Sequence, residues 1–148
     1  MAFVSGPLKK IKLKADVSYD FHLMGIISGT KDYTISWSIG NALDVEMKKT
    51  EDLEFQIGTE LCFVSCFEHE SNFVRFSLVS NKILTSHGQF RRALIPSLSH
   101  FNFFLKIEEL EEIDDREKVF SRLRNAKKID SIVKIDIQKV KEKDALIF

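Results

Sequence analysis

Apolar and polar residues alternate most cleanly at positions 101–107. Phe101, Phe103, Leu105 and Ile107 fall on one side at period two, with Asn102, Phe104 and Lys106 on the other. Pro96 and Ser97 punctuate the chain upstream and a run of acids follows, so this stretch reads as the spine of a sheet. Near the start, Ile11, Leu13 and Ala15 alternate with Lys10, Lys12 and Lys14, a strand whose lysine-coated face would protect a sheet edge. Residues 21–27 are almost continuously apolar, interrupted by His22, which suits a strand buried on both faces. Leu53, Phe55 and Ile57 alternate with Glu54 and Gln56. Gly58-Thr59 turns the chain into the apolar stretch 61–67, and Ser71-Asn72 turns it again into 73–79. These three segments predict an antiparallel meander.

Positions 32–43 fit two periods. Tyr33, Ile35, Trp37 and Ile39 alternate with Thr34, Ser36 and Ser38 as a strand would. Ile35, Ile39, Ala42 and Leu43 equally line one helical face, with Asp32 as a cap, and the length of the stretch favours the helix. A second helix is expected after Asp114-Asp115-Arg116-Glu117, with Val119, Phe120, Leu123 and Ala126 on its inner face. Val133, Ile135 and Ile137 then alternate with Lys134 and Asp136 as a closing strand. Strand, helix and strand in succession predict a parallel pair joined by a right-handed crossover.

Together these elements predict a single α+β domain over residues 1–148. Its mostly antiparallel sheet would have about six or seven strands, with two helices on one face and a ferredoxin-like βαβ unit at the C-terminus.

Composition adds bounds. The chain has 148 residues, 44% hydrophobic and 30% charged, with thirteen Phe, and a domain of that size needs neither disulfide nor metal to hold a core. Lys plus Arg equal Asp plus Glu at 22 each, which argues against a general polyanion binder. Cys62 and Cys66 are the two cysteines, and along a strand they would lie ~13 Å apart. A disulfide needs Cα atoms within roughly 7 Å, so both are expected as reduced thiols in a reducing compartment. The N-terminal residues show no signal-peptide pattern, and no apolar run approaches the ~20 residues that span a bilayer. The expectation is a cytoplasmic protein without membrane association.

Candidate chemistry is sparse. His22, His69, His87 and His100 occupy no zinc-like spacing, and no G-x-S-x-G elbow, P-loop or dinucleotide fingerprint occurs. Glu108, Glu109, Glu111, Glu112, Asp114 and Asp115 crowd together, but acids before a helix and bases near its other end complement its dipole without any ligand. The chain is basic from position 116 to 143, yet no RNP1-like string accompanies it, so nucleic acid is not the expected partner. No cofactor or metal is expected. Asn81, Lys82, Arg91 and Arg92 flank one inter-strand loop and are the candidates for an anion site.

Several residues together resemble one family. Ile95-Pro96-Ser97-Leu98-Ser99-His100-Phe101-Asn102-Phe103 is similar to the signature of the IPExxxVDY family, small proteins of Bacteroidota-type bacteria. Leu78-Val79-Ser80-Asn81-Lys82 resembles that family's Ser-Asn-Lys stretch, and Leu23-Met24-Gly25-Ile26 with Asp32-Tyr33 and Trp37 resembles its N-terminal part. Ser97, Asn102 and Phe103 stand where the family has Glu, Asp and Tyr, each swap removing a charge or a hydroxyl. The resemblance implies a helix at 32–43 and a structural signature: Ile95, Pro96, Phe101, Asn102 and Phe103 would end one segment and carry the aromatic strand into the sheet. It implies no substrate.

The expected function is therefore a non-enzymatic binding or adaptor module whose partner is a protein or a second copy of the chain. The aromatic excess would supply the apolar surface for it. The alternative is a small-molecule or anion sensor using the basic loop cluster, and an unrecognised enzyme ranks third.

Overall fold

The computed structural model describes residues 9–10, 20–109 and 116–148. Among these residues, eleven strands and two helices form an α+β fold of two antiparallel sheets. The strands are β1 (Lys9–Lys10), β2 (His22–Ile27), β3 (Lys48–Lys49), β4 (Leu53–Ile57), β5 (Glu60–Val64), β6 (Cys66–Glu70), β7 (Val74–Ser80), β8 (Lys82–Thr85), β9 (Phe90–Ala93), β10 (Phe103–Glu109) and β11 (Ser131–Ile135). The helices are α1 (Asp32–Leu43) and α2 (Arg116–Arg124). The larger sheet runs β11-β2-β10-β7-β6-β3 and the smaller β1-β4-β5-β8-β9. The alternation at Ile11, Leu13 and Ala15 and the proposed Asp114-Asp115 cap lie outside the described residues.

The larger sheet is a middle layer. Met24, Ile26, Phe67, Phe76, Leu78, Phe103, Leu105 and Ile107 face both helices, meeting Ile35, Ile39, Leu43, Phe120 and Leu123. Leu23, Cys66, Val79 and Phe104 face the other way, onto Phe55, Ile57, Cys62, Val64 and Ile83 of the smaller sheet. Ile137, Val140, Ala145 and Leu146 from the C-terminal segment complete that second core. Strand β10 is consequently buried on both faces from Phe103 to Ile107, with apolar residues on both faces and Lys106 as the buried exception.

Four expectations change. One sheet becomes two because residues 61–67 are not one strand: β5 pairs with β4 and β8, and β6 pairs with β7. Cys62, Val64 and Cys66 keep facing the same core while the hydrogen-bonding partners switch across Ser65. The Phe101 side chain does not share a face with Phe103. The chain bends at Asn102, the strand begins at Phe103, and the Phe101 ring packs against Phe104 with centroids 6.0 Å apart. Gly25 makes room for it, since a Cβ there would sit 2.7 Å from the Phe101 ring. The strand β11 ends at Ile135, with Ile137 turned into a short 3-10 segment, and Val133 is 42% exposed on the sheet edge. Finally, β10 and β11 do run parallel, but they are not adjacent: each pairs antiparallel with β2, which lies between them.

Candidate functional site

Helix α1 spans the predicted residues. Its N-cap is Lys31 rather than Asp32, and Asp32 Oδ1 instead accepts the Tyr33 amide at 2.7 Å. With Ile35, Ile39 and Leu43 turned inward, residues 33 and 37 emerge on the opposite side one turn apart. Tyr33 is 59% and Trp37 62% exposed; Phe73 and Phe90 are exposed as well, but singly, whereas Tyr33 and Trp37 stand one turn apart on one helix face. Two serine hydroxyls fix what lies beside them. Ser38 Oγ donates to the Lys127 carbonyl, and Ser28 Oγ donates to the Lys128 carbonyl at 2.6 Å. The segment after α2 is thereby tied to α1, leaving a groove of about 280 Å³ lined by Trp37, Ser38, Asn41, Ala42, Asn125 and Lys127.

A second, more polar cleft of about 380 Å³ opens at the end of the larger sheet. Ser28, Thr30, Lys31, Asp32, Ser65, Ser80 and Lys82 contribute to it. Its carboxylate is engaged, because Ser65 Oγ donates to Asp32 Oδ2 at 2.5 Å. Asn102 Oδ1 accepts the Ser28 amide at 2.8 Å, which fixes the loop leaving β2.

The four anion candidates do not converge. Lys82 lines this cleft, while Arg91 and Arg92 do not. Arg91 Nε donates to Glu60 at 3.0 Å. Arg92 Nε donates to the Ala93 carbonyl at 3.2 Å, and burial lowers its guanidinium pKa against the pull of Glu142. Asn81 is buried and fully used: Nδ2 donates to the carbonyls of Leu98 (3.0 Å) and Phe101 (2.9 Å), and Oδ1 accepts the Ile95 amide at 2.8 Å.

The signature positions are placed by the same contacts. Ile95 is buried, and Pro96 opens the short turn Pro96–Leu98. Ser97 bonds Glu142 through both its amide (2.9 Å) and its hydroxyl (2.5 Å). Asn102 donates its amide to the Ile26 carbonyl at 2.8 Å, and Phe103 is core.

Titratable groups elsewhere are structural in their contacts. Lys106 is 3% exposed, donates to the Leu146 carbonyl at 2.8 Å and stands 3.1 Å from Glu108 Oε1. The rings of Phe148 and Phe21 flank its ammonium at 4.0 and 4.7 Å. Arg75 bridges Glu70 (2.8 Å) and Glu108 (3.4 Å), and the hydrogen bond to Glu70 raises its pKa. Cys62 and Cys66 are buried free thiols, and burial pushes the Cys66 pKa up to about 11. His22 lies 3.4 Å from Glu109, His69 bonds the Glu46 carbonyl at 3.1 Å, and the His100 ring packs on Phe101. Among the described residues no three His, Cys, Asp or Glu side chains gather in a way that could hold a metal ion, and no helix is long and apolar enough to cross a membrane.

Two features escaped the sequence pattern: the outward Tyr33–Trp37 pair and the buried Lys106. The first had a signal. In a strand, positions 33, 35, 37 and 39 share a face, whereas in a helix positions 33 and 37 lie nearly opposite 35 and 39. Choosing the helix already turned both rings outward. Comparison with family models, curated proteins and solved structures found no match to this chain.

Proposed function

We propose that the protein is a binding module that engages a protein partner, or a second copy of itself, through the outer face of α1. The observation that carries this reading is the exposure of Tyr33 and Trp37 one helical turn apart beside a groove. Large aromatic side chains on a flat, preformed surface are the usual anchors of protein interfaces, because they bury much area for little lost rotamer freedom. The free, buried thiols support placing it in a reducing compartment such as the cytoplasm. Two further readings belong here. One is kinship with the IPExxxVDY family. The other is a ferredoxin-like description of β11-β2-β10-β7 with α1 and α2, in which the intervening strands are insertions.

Immobilised wild-type protein and the Tyr33→Ala/Trp37→Ala variant, compared in capture from native lysate and in sedimentation equilibrium, test the proposal. A protein retained by the wild type and lost by the variant is the expected result, as is self-association lost in the same way. Identical retention by both, or no retention together with a strict monomer, would count against it.

A second reading, an anion sensor, now draws on Lys82 with Lys31, Ser28, Thr30 and Ser80 around the polar cleft. A thermal-shift screen with phosphorylated metabolites tests it. A ligand at 100 times its dissociation constant stabilises by about 2.7 kcal/mol, and Lys82→Ala should abolish the shift.

A further inference from the structure

The surroundings of the Tyr33–Trp37 pair are electrostatically one-sided. Lys127 lines the groove, Lys31 Nζ lies 6.0 Å from the Tyr33 ring, and Arg124 and Lys128 are exposed in the same segment as Lys127. None of the four has a carboxylate partner among the described residues. Two nearby acids, Asp32 and Asp130, offset part of that charge. Asp32 keeps its charge while it accepts the neutral Tyr33 amide and Ser65 hydroxyl. Asp44 sits at the opposite end of α1, as its C-cap. Glu117 on α2 pairs with Lys134. Asp130 alone is an exposed acid in the segment 124–130. This local excess of positive charge occurs in a chain whose formal net charge is zero, so it is a feature of the surface and not of the composition.

We infer that the outer face of α1 and the groove beside it dock an acidic peptide segment carrying an apolar anchor side chain. The inference rests on the reading of α1 as the docking surface and names the chemistry of its partner. Each part of the surface has a use in that complex. The groove between Trp37, Ala42 and Ala126 accepts the apolar side chain. Ser38 is committed to the Lys127 carbonyl and Asn125 Nδ2 to the Ser121 carbonyl, but the Asn41 side-chain amide and Asn125 Oδ1 line the same groove and can bond peptide backbone. Lys127 at the groove and Lys31 beside Tyr33, both exposed, steer and orient acids flanking the anchor, with Arg124 and Lys128 adding to the positive field of the same segment.

Single-stranded nucleic acid is the competing occupant, since it also suits aromatic and basic residues. The geometry favours the peptide. Tyr33 and Trp37 share one helix face with a side-chain-sized groove at their flank, the arrangement of an anchor site. They are not spread over a sheet surface where successive bases could stack.

Trp37 is the single tryptophan of the chain, so its emission reports occupancy of this surface directly. The experiment titrates the protein with a short synthetic peptide of Glu and Leu, its Lys and Leu counterpart, and oligothymidylate, at low and high salt. The expected result is a saturable blue shift with the acidic peptide. It should weaken about tenfold in Lys127→Glu/Lys128→Glu and with added salt, while circular dichroism stays unchanged. A flat response to the acidic peptide overturns the inference, and so does a response to oligothymidylate alone. An equal response to both peptides that Tyr33→Ala abolishes also overturns it, but leaves the α1 docking surface standing.

Discussion

The side-chain oxygen of Asn81 accepts the backbone amide of Ile95 at 2.8 Å, and its nitrogen reaches two carbonyls beyond it. The Asn81 amide also donates to the Asn102 carbonyl at 2.9 Å. The Ser-Asn-Lys stretch and the Ile-Pro stretch, separate in sequence, are thus two halves of one hydrogen-bonded staple at the entrance to β10. Asn81→Ala strands the buried Phe101 carbonyl and Ile95 amide, while the Leu98 carbonyl keeps the Phe101 amide, and should cost about 3 kcal/mol. Asn81→Asp keeps the acceptor, loses both donors and sets a charge against the carbonyls, so it should be no milder. Urea denaturation of both variants measures this, and a loss below about 1 kcal/mol would remove the staple from the account of the fold.

Phe103 and Phe104 face different cores from adjacent positions, the first toward the helices and the second toward the smaller sheet. Each truncation to Ala should cost roughly 3–5 kcal/mol. The two are neighbours on one strand, so the double variant should depart from the sum by the coupling that the shared backbone carries between the two cores. Chemical denaturation of the two singles and the double checks both statements.

The contacts of Lys106 include the backbone oxygens of Leu146 and Phe148, the Glu108 carboxylate and two rings. Lys106→Met takes away the nearest cation of Glu108 but leaves Arg75 at 3.4 Å, and it leaves the Leu146 carbonyl without this donor, so it should cost about 1–3 kcal/mol. Adding Glu108→Gln removes the less compensated charge and should recover part of that loss. An equal or larger loss in the double variant would mean that the ammonium contributes through its stem and its carbonyl contacts alone.

Cys66 sets a pH dependence. Its thiol, ordinarily at 9.0, is pushed up to about 11 by burial. Between those values the unfolded chain releases the proton and the folded one keeps it, so the folded state binds more protons and stability falls as pH rises. The full contribution is present below pH 9.0 and is lost through pH 11, about 2–3 kcal/mol in all. The difference in slope between wild type and Cys66→Ala, from urea unfolding at pH values across that window, isolates it from the lysines and tyrosines that titrate nearby.

Much of this fold was legible because period and burial agree in it. Helix α1 could be read because Ile35, Ile39 and Leu43 form one stripe, and β10 because Phe103, Leu105 and Ile107 are apolar at period two. The division into two sheets was not legible. Cys62, Val64 and Cys66 stay in phase through Ser65, so alternation carries no mark where the hydrogen-bonding partners change. Phe101 was misplaced for a similar reason: the bend at Asn102 depends on Asn81 and Ser28, distant in sequence. Of the candidate site, Lys82 was named and now lines a cleft, whereas Asn81 reads as polar surface until its three buried partners are known. The basic rim was visible only as bases near the end of α2. Its meeting with Trp37 is made by the Ser38 bond to Lys127, which no local pattern encodes.

The outward aromatic pair is the point on which the function turns, and one measurement addresses it most directly: the unfolding free energy of Tyr33→Ala/Trp37→Ala against wild type. Rings kept at the surface for a partner contribute little to the isolated fold, so the variant should lie within about 1 kcal/mol of wild type. A loss of more than about 3 kcal/mol would show that the pair is packed as core, and the docking surface on α1 would not exist.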